Sequence, residues 1–217
     1  MTRAAGPPSR LISGNTYTIR RDGHLHIVSE QYGYKTEPYY AILSHELKGE
    51  EVSPDSSSVL DASVVPLCLL RASRAGIPVA DCVIAQECIR FPAILYGLNY
   101  FSCTSGYTVV RDPAAAKDLI RHITNSGKYP YCYQPLSADD DVIEVTAIFG
   151  RASSGSEAVR DCAERLYVEF RIPLMTLILI RNKDGVRLSA IAPARYPALP
   201  PAERSLLRSY LSGQVFL

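Results

Sequence analysis

No apolar run in this 217-residue chain approaches the ~20 residues that a membrane-crossing helix needs. The longest, Pro173 to Ile180, has the length of a strand. The N-terminus, Met1 to Arg10, is polar and proline-rich and lacks the apolar centre of a secretory signal. It reads as a frayed arm. Charge of one sign is lacking too: 23 Lys and Arg meet 22 Asp and Glu, for a net charge of +1. That argues against nucleic acid, whose binders carry a basic stripe, and against an acidic tail or a polybasic membrane anchor. The six cysteines form no C-x-x-C pair, and no histidine stands at zinc-site spacing near Cys82 and Cys88. They read as reduced, buried thiols of a cytoplasmic protein. There is no Gly-rich loop followed by Lys-Ser or Lys-Thr, no G-x-G-x-x-G and no G-x-S-x-G. No internal repeat or low-complexity stretch is present.

What is there is an ordinary globular balance, 47% hydrophobic and 21% charged. Thr16–Ile19 and Leu25–Val28 alternate in polarity around Asp22-Gly23, which predicts a hairpin. Pro38 to Lys48 reads as a helix ended by Gly49, and Glu50 to Ser53 as a strand. A second helix is expected to end near Ala75, with Ser63 capping it so that Pro66 falls in its first turn. Val79–Ala85, Ala93–Tyr96 and Tyr107–Val110 read as strands. Asp112-Pro113 opens a third helix. Tyr131–Gln134 and Val142–Phe149 follow as strands. Ser154-Gly155-Ser156-Glu157 has the form of a capping box. Behind it Val159, Cys162, Ala163, Leu166, Tyr167 and Phe170 recur at helical spacing. Pro173–Ile180 and Val186–Ala192 form a second hairpin, and Pro201–Leu211 a last helix ending at Gly213. The expected class is α/β: a mixed sheet with alternating helices and at least two hairpins. The expected organisation is an arm over residues 1–15 and one α/β domain over 16–217. That domain is either one body or two intertwined lobes with 67–136 as an inserted lobe.

Few residues stand out for chemistry. His24 and His26 share one face of a predicted strand, which opens a metal site or an exposed hairpin face. No third ligand accompanies them, so no metal is expected. Asp139-Asp140-Asp141 offers carboxylates for Mg²⁺, but consecutive acids point apart, and a solvated loop is the expectation. Cys103 and Cys132 lie in polar stretches, with His122 the nearest base in sequence, and are read as inert. Tyr32, Tyr34, Tyr39 and Tyr40 join apolar rings to hydrogen-bonding tips, as recognition surfaces and core edges both do. Arg151 follows Ile148-Phe149-Gly150 at a strand end, close to the helix start that Ser154 would cap. A strand end beside a helix N-terminus suits an anion, and arginine adds a two-pronged donor.

Two blocks of sequence resemble a known family. The first is Tyr32-x-Tyr34, then Pro38-Tyr39-Tyr40-Ala41-Ile42-Leu43-Ser44-His45-Glu46-Leu47-Lys48-Gly49, then Val52-Ser53-Pro54-Asp55-Ser56. The second is Ile148-Phe149-Gly150-Arg151, then Leu166-Tyr167-x-x-Phe170-Arg171-Ile172-Pro173-Leu174-Met175, then Leu188 to Pro193. In order and style they resemble the N-terminal domain found ahead of RimK-like ATP-grasp ligases. Pro38 stands where that family has glycine, and the stretch from Leu67 to Leu136 is longer than the family's middle. That middle is similar to the first lobe of an ATP-grasp nucleotide domain, in Ala75-Gly76-Ile77-Pro78, Phe91 to Gly97, Ser105 to Val110 and Gln134-Pro135-Leu136. The phosphate-holding lysine of such a lobe is replaced by Leu95 or Tyr96. No cofactor is therefore expected, with ATP and Mg²⁺ as the alternative.

The resemblance implies a link to ATP-dependent amide or peptide bond formation. The expectation is a stand-alone accessory or substrate-recognition domain, whose partner is an ATP-grasp ligase or an amino-acid or peptide ligand. Arg151, Tyr39, Tyr40, His45 and Arg171 are the substrate-binding candidates. Two alternatives stay open. One is a small enzyme with a reduced ATP-grasp-like or transferase site, using Arg151, Tyr40, His45 and Glu46. The other is a structural or homo-oligomer-forming domain.

Overall fold

The computed structural model describes residues 10–21, 23–85, 89–98 and 107–212. The first nine residues of the expected arm, Asp22, Cys88, Cys103, most of the 97–106 loop and Gly213 lie outside them. The elements run β1 (Tyr17–Arg21), β2 (His24–Val28), α1 (Glu37–Glu46), β3 (Val52–Ser53), α2 (Ser56–Ser63), α3 (Val65–Arg74) and β4 (Val83–Ala85). They continue with β5 (Ala93–Gly97), β6 (Thr108–Val110), α4 (Pro113–Ile123), β7 (Tyr131–Pro135), β8 (Asp141–Ile148) and β9 (Arg151–Ala152). α5 (Glu157–Phe170), β10 (Leu174–Asn182), β11 (Gly185–Ala192) and α6 (Pro201–Leu211) complete the chain. This is an α/β fold. Its strands form three sheets rather than one, ordered β1-β2-β3, β11-β10-β8-β9 and β4-β7-β5-β6. The chain divides into two compact units: residues 1–60, 145–176 and 193–217, and residues 61–144 and 177–192.

In the first unit, β1 and β2 pair antiparallel with Arg21 opposite His24, as the alternation predicts. β3 joins β2 in parallel, His26 opposite Ser53. α5 is the most regular helix. Its Val159, Cys162, Ala163, Leu166 and Phe170 are all buried, the stripe that the spacing predicts. Leu166 and Phe170 are fully enclosed, and each contributes roughly 1.5–3 kcal/mol by leaving water. The residue before α5 is Ser156, not Ser154, and it makes no side-chain cap bond. Gly155, at φ +104, turns the chain at that point, so the capping-box reading fails. Tyr17, Ile19, Ile148, Phe149, Leu174, Tyr196 and Leu207 belong to the core that α6 closes.

Two further departures lie in the middle of the chain. The helix expected to start at Ser63 and end near Ala75 is α3, with Val64 rather than Ser63 before it, and α2 ahead of it was not expected. Pro66 lies in the first turn of α3, where a missing N–H costs no helical bond. Asp55 caps α2, accepting from Ser58 N at 2.7 Å. Asp140 is no solvated loop residue. Its side chain is 1% exposed, and its carboxylate accepts from Arg187 at 3.1 Å and Asn182 at 2.9 Å. Asp112 caps α4 through Ala115 N at 2.9 Å, as its sequence predicts. α4 packs Ala116 and Ile123 against Leu95 and Tyr133. Among the described residues no helix is long and apolar enough to cross a membrane.

Candidate functional site

In the first unit a cleft of about 630 Å³ opens where five elements end. Arg21 comes from the tip of β1, and His24 and His26 from alternate positions of β2, so they share a face. β3 brings Ser53, and α5 brings Glu164 and Tyr167. Arg171 follows the last turn of α5, and Tyr210 comes from α6. Phe149, Gly150 and Arg151 form the remaining wall.

That wall is a tight hairpin. Ala147 pairs with Ala152 and Ile148 with Arg151, so Phe149 and Gly150 alone make the turn. Both have positive φ, +47 and +76, the pattern of a two-residue type I′ turn. A Cβ at Gly150 would stand 2.9 Å from Tyr167 Cβ, so the position admits only glycine without strain. Phe149 N–H donates to Pro173 O at 2.7 Å, which fixes the turn to the start of β10. Arg171 also has positive φ, +54, and its N–H bonds to Tyr167 O. It occupies the left-handed position after a helix that glycine usually takes.

Aromatic rings floor the cleft. Phe149 stacks on Tyr210 at 4.5 Å and meets His26 and Tyr167 edge-on at 5.4 and 5.8 Å. The Arg21 guanidinium lies 4.4 Å from the Tyr210 ring centre, and that of Arg151 6.0 Å from it. Among the described residues neither Arg151 nor Arg171 has a carboxylate within ion-pair distance, nor does Glu164 have a cation. The arrangement can hold a carboxylate in bidentate arginine bonds. Glu164 adds one acceptor for a cationic group at the rim. Among the described residues no group of three His, Cys, Asp or Glu could hold a metal ion.

Of the five candidates read from sequence, Arg151 and Arg171 are brought to this cleft and the other three are not. Tyr39 is buried and Tyr40 half exposed, in edge-to-face contact with each other. Burial, with the neighbouring Tyr34 hydroxyl, pushes the Tyr39 phenol above its ordinary range. His45 bonds Glu50, and that hydrogen bond holds Glu50 below the usual carboxylate range. Glu46 accepts from Ser56 N at 2.8 Å. His45 and Glu46 thus serve the α1–α2 connection. Arg21, Tyr210 and Glu164 were not singled out in sequence. Besides Arg151 and Arg171, the strand alternation that puts His24 and His26 on one face also pointed here.

The middle segment, in the second unit, has a different character. Leu95 and Tyr96, which stand where an ATP-grasp lobe carries lysine, are buried in β5. The Tyr96 hydroxyl shares a 2.6 Å hydrogen bond with Ser189, whose hydroxyl donates to Gln134 at 2.6 Å.

The family model of the RimK-like ATP-grasp N-terminal domain matches residues 15–210. No curated protein matches the chain. Solved structures do. A RimK domain ATP-grasp protein from Sphaerobacter thermophilus aligns over 80% of this chain and 74% of its own, at 14% identity and a TM-score of 0.57. A D-alanine–D-alanine ligase from Helicobacter pylori aligns over 81% of this chain and 65% of its own, at 16% identity and a TM-score of 0.56. The ATP-grasp ligase PsnB, complexed with a precursor peptide and AMPPNP, aligns over 78% and 63%, at 19% identity and a TM-score of 0.52. At such identities the likeness is one of fold.

Proposed function

The chain belongs to the family of RimK-like ATP-grasp N-terminal domains, and from that premise we propose that it is a substrate-recognition module for ATP-dependent amide or peptide bond formation. The arginine-lined cleft of the first unit takes the carboxylate of an amino acid or peptide. The ATP is held by a partner ligase. The observation that carries this reading is the convergence of Arg151 and Arg171, neither ion-paired among the described residues, on one cleft with Arg21. Guanidiniums gathered on one cleft repel each other, and an anion relieves that cost. Glu164, at the same rim, suits the ammonium of the same ligand. Amino acids and peptides carry both groups. The PsnB comparison structure holds a precursor peptide and a nucleotide analogue together, which fits a division of labour between substrate and nucleotide. Leu95 and Tyr96 offer no cation to a phosphate, which favours substrate over nucleotide as this chain's ligand.

Titration calorimetry tests it, with the dipeptide Ala-Asp, its amidated form and Mg·ATP as separate titrants. The reading expects Ala-Asp to bind, the amide to bind more weakly, and Arg151→Gln with Arg171→Gln to abolish binding. Binding of Mg·ATP alone, unaffected by those two changes, would transfer the function to a nucleotide site elsewhere in the chain.

A further inference from the structure

We infer that Phe149 is a positioning residue of this cleft, kept in an unfavourable backbone conformation because its ring holds Tyr210, and through Tyr210 the guanidiniums of Arg21 and Arg151, in place. The inference rests on the recognition reading above and adds the residue on which its geometry depends.

Three observations converge. First, the turn demands positive φ at both of its residues, and Phe149 sits at +47. Asparagine, aspartate or glycine is the usual choice there, and a bulky ring in that region is an outlier. Local preference and residue identity therefore conflict at this position. Such conflicts gather where a function over-determines the residue. Second, the ring is a hub of the cleft. It stacks on Tyr210 with 21° between planes, and meets His26 and Tyr167 edge-on. The Arg21 guanidinium lies 5.9 Å from its centre. Third, the neighbouring residues leave the turn no other register. Arg151 is locked opposite Ile148, and Gly150 is pressed against Tyr167. Arg151 thus leaves the hairpin in a direction set by the turn, while its distance to Tyr210 is set by the ring that Phe149 supplies. A residue needed only for the turn would be asparagine.

The experiment compares wild type, Phe149→Asn, Phe149→Leu and Phe149→Tyr by three readouts. These are thermal unfolding, calorimetric affinity for Ala-Asp, and the NMR shift of the Arg21 Nε–H proton, which the Tyr210 ring current displaces. Phe149→Asn relieves the backbone but also removes a ring that is 9% exposed within the core that α6 closes, and is expected to lower the melting temperature. It should also weaken Ala-Asp binding about 3- to 30-fold, the range a lost guanidinium–ring contact gives. The Arg21 proton should move toward its random-coil shift. Phe149→Leu keeps apolar bulk without the ring and should lose affinity and ring shift alike. Phe149→Tyr should retain both. Stability lost in Phe149→Asn with Ala-Asp affinity and the Arg21 shift unchanged would make the residue merely structural and overturn the inference. So would a Phe149→Leu protein with wild-type affinity and a wild-type Arg21 shift. If wild type fails to bind Ala-Asp, the recognition reading falls by itself. The Arg21 shift, which needs no ligand, then still decides whether Phe149 positions the guanidiniums.

Discussion

The ring of Phe149 stacks on that of Tyr210, 4.5 Å away between centres and tilted by 21°, and the Arg21 guanidinium lies 4.4 Å from the same Tyr210 ring. Residues from β1, from the β8–β9 turn and from α6 are thereby joined around one side chain. Tyr210 is 9% exposed, so its removal empties volume as well as ending the stack. Tyr210→Ala is expected to cost about 3–5 kcal/mol in urea unfolding. Tyr210→Phe keeps the ring and should stay within about 1 kcal/mol of wild type. Equal losses in the two variants would mean that the hydroxyl, not the ring, matters.

Gly150 permits a sharper test of the turn. Alanine there faces positive φ and a Tyr167 Cβ at 2.9 Å. Backbone strain of roughly 1 kcal/mol adds to an overpacking cost of about 1–3 kcal/mol. Gly150→Ala should therefore lower stability by about 2–4 kcal/mol. A neutral result would show that the Phe149–Gly150 hairpin relaxes freely, and the cleft wall would not be rigid.

Much of the fold is legible in the sequence because it is local. The α5 stripe, the Asp112 cap and the hairpin around Gly23 each follow from spacing over a few residues. The breaks came where two local signals competed. Ser154 and Ser156 both precede an acid-led helix, and Gly155 between them decided for Ser156. Ahead of Pro66 the helix start was read at Ser63 where Val64 stands, and α2 was not read. The cleft was harder to read because it is assembled from residues far apart in the chain, from Arg21 to Tyr210. Arg151 was noticed for its place at a strand end, yet Phe149-Gly150 carries no asparagine or aspartate to announce a turn. Tyr39, Tyr40 and His45 attracted attention by residue type, and packing gave them other tasks.

Among the described cysteines, Cys68, Cys132 and Cys162 are buried, and Cys82 is partly exposed. A hydrogen bond from Cys132 lowers the Cys82 thiol, against burial that raises it, while the same contact and burial push Cys132 up. The thiolate is the reactive form. Brief iodoacetamide treatment of the native protein should label Cys82 well before the other three, as read by peptide mass spectrometry. Equal labelling of Cys132 would mean that the β4–β7 edge opens readily.

Ser189 ties together the buried polar centre of the second unit. Its hydroxyl meets Tyr96 Oη and Gln134 Oε1, and its carbonyl accepts from Gln134 Nε2 at 2.8 Å. Ser189→Ala leaves the Tyr96 hydroxyl and one Gln134 oxygen unpaired away from water, at about 1–3 kcal/mol each. The expected loss in urea unfolding is thus about 2–6 kcal/mol. Adding Tyr96→Phe should recover part of it, since one of the orphaned groups is then gone. A double variant less stable than the single one would contradict the network.

Alkaline pH separates Cys162 from the other buried acids. Burial, with the nearby Asp161 charge, pushes its thiol up to about 11, against an ordinary value of 9.0. The unfolded chain therefore releases this proton before the folded one does. Stability from this group is complete below pH 9 and declines as pH climbs toward 11, because the unfolded state holds fewer protons in that window. At pH 10 the loss is on the order of 1 kcal/mol, about one pH unit of linkage. Tyr32, Tyr96 and Tyr196 are raised by burial as well and steepen the alkaline limb. They remain in Cys162→Ala, so their share cancels in the comparison. The stability gap between wild type and Cys162→Ala should narrow by roughly 1 kcal/mol from pH 8 to pH 10. Parallel curves over that interval would show that the Cys162 thiol ionises in the folded protein as easily as in the unfolded chain. Burial on the inner face of α5 would then not exclude water from it.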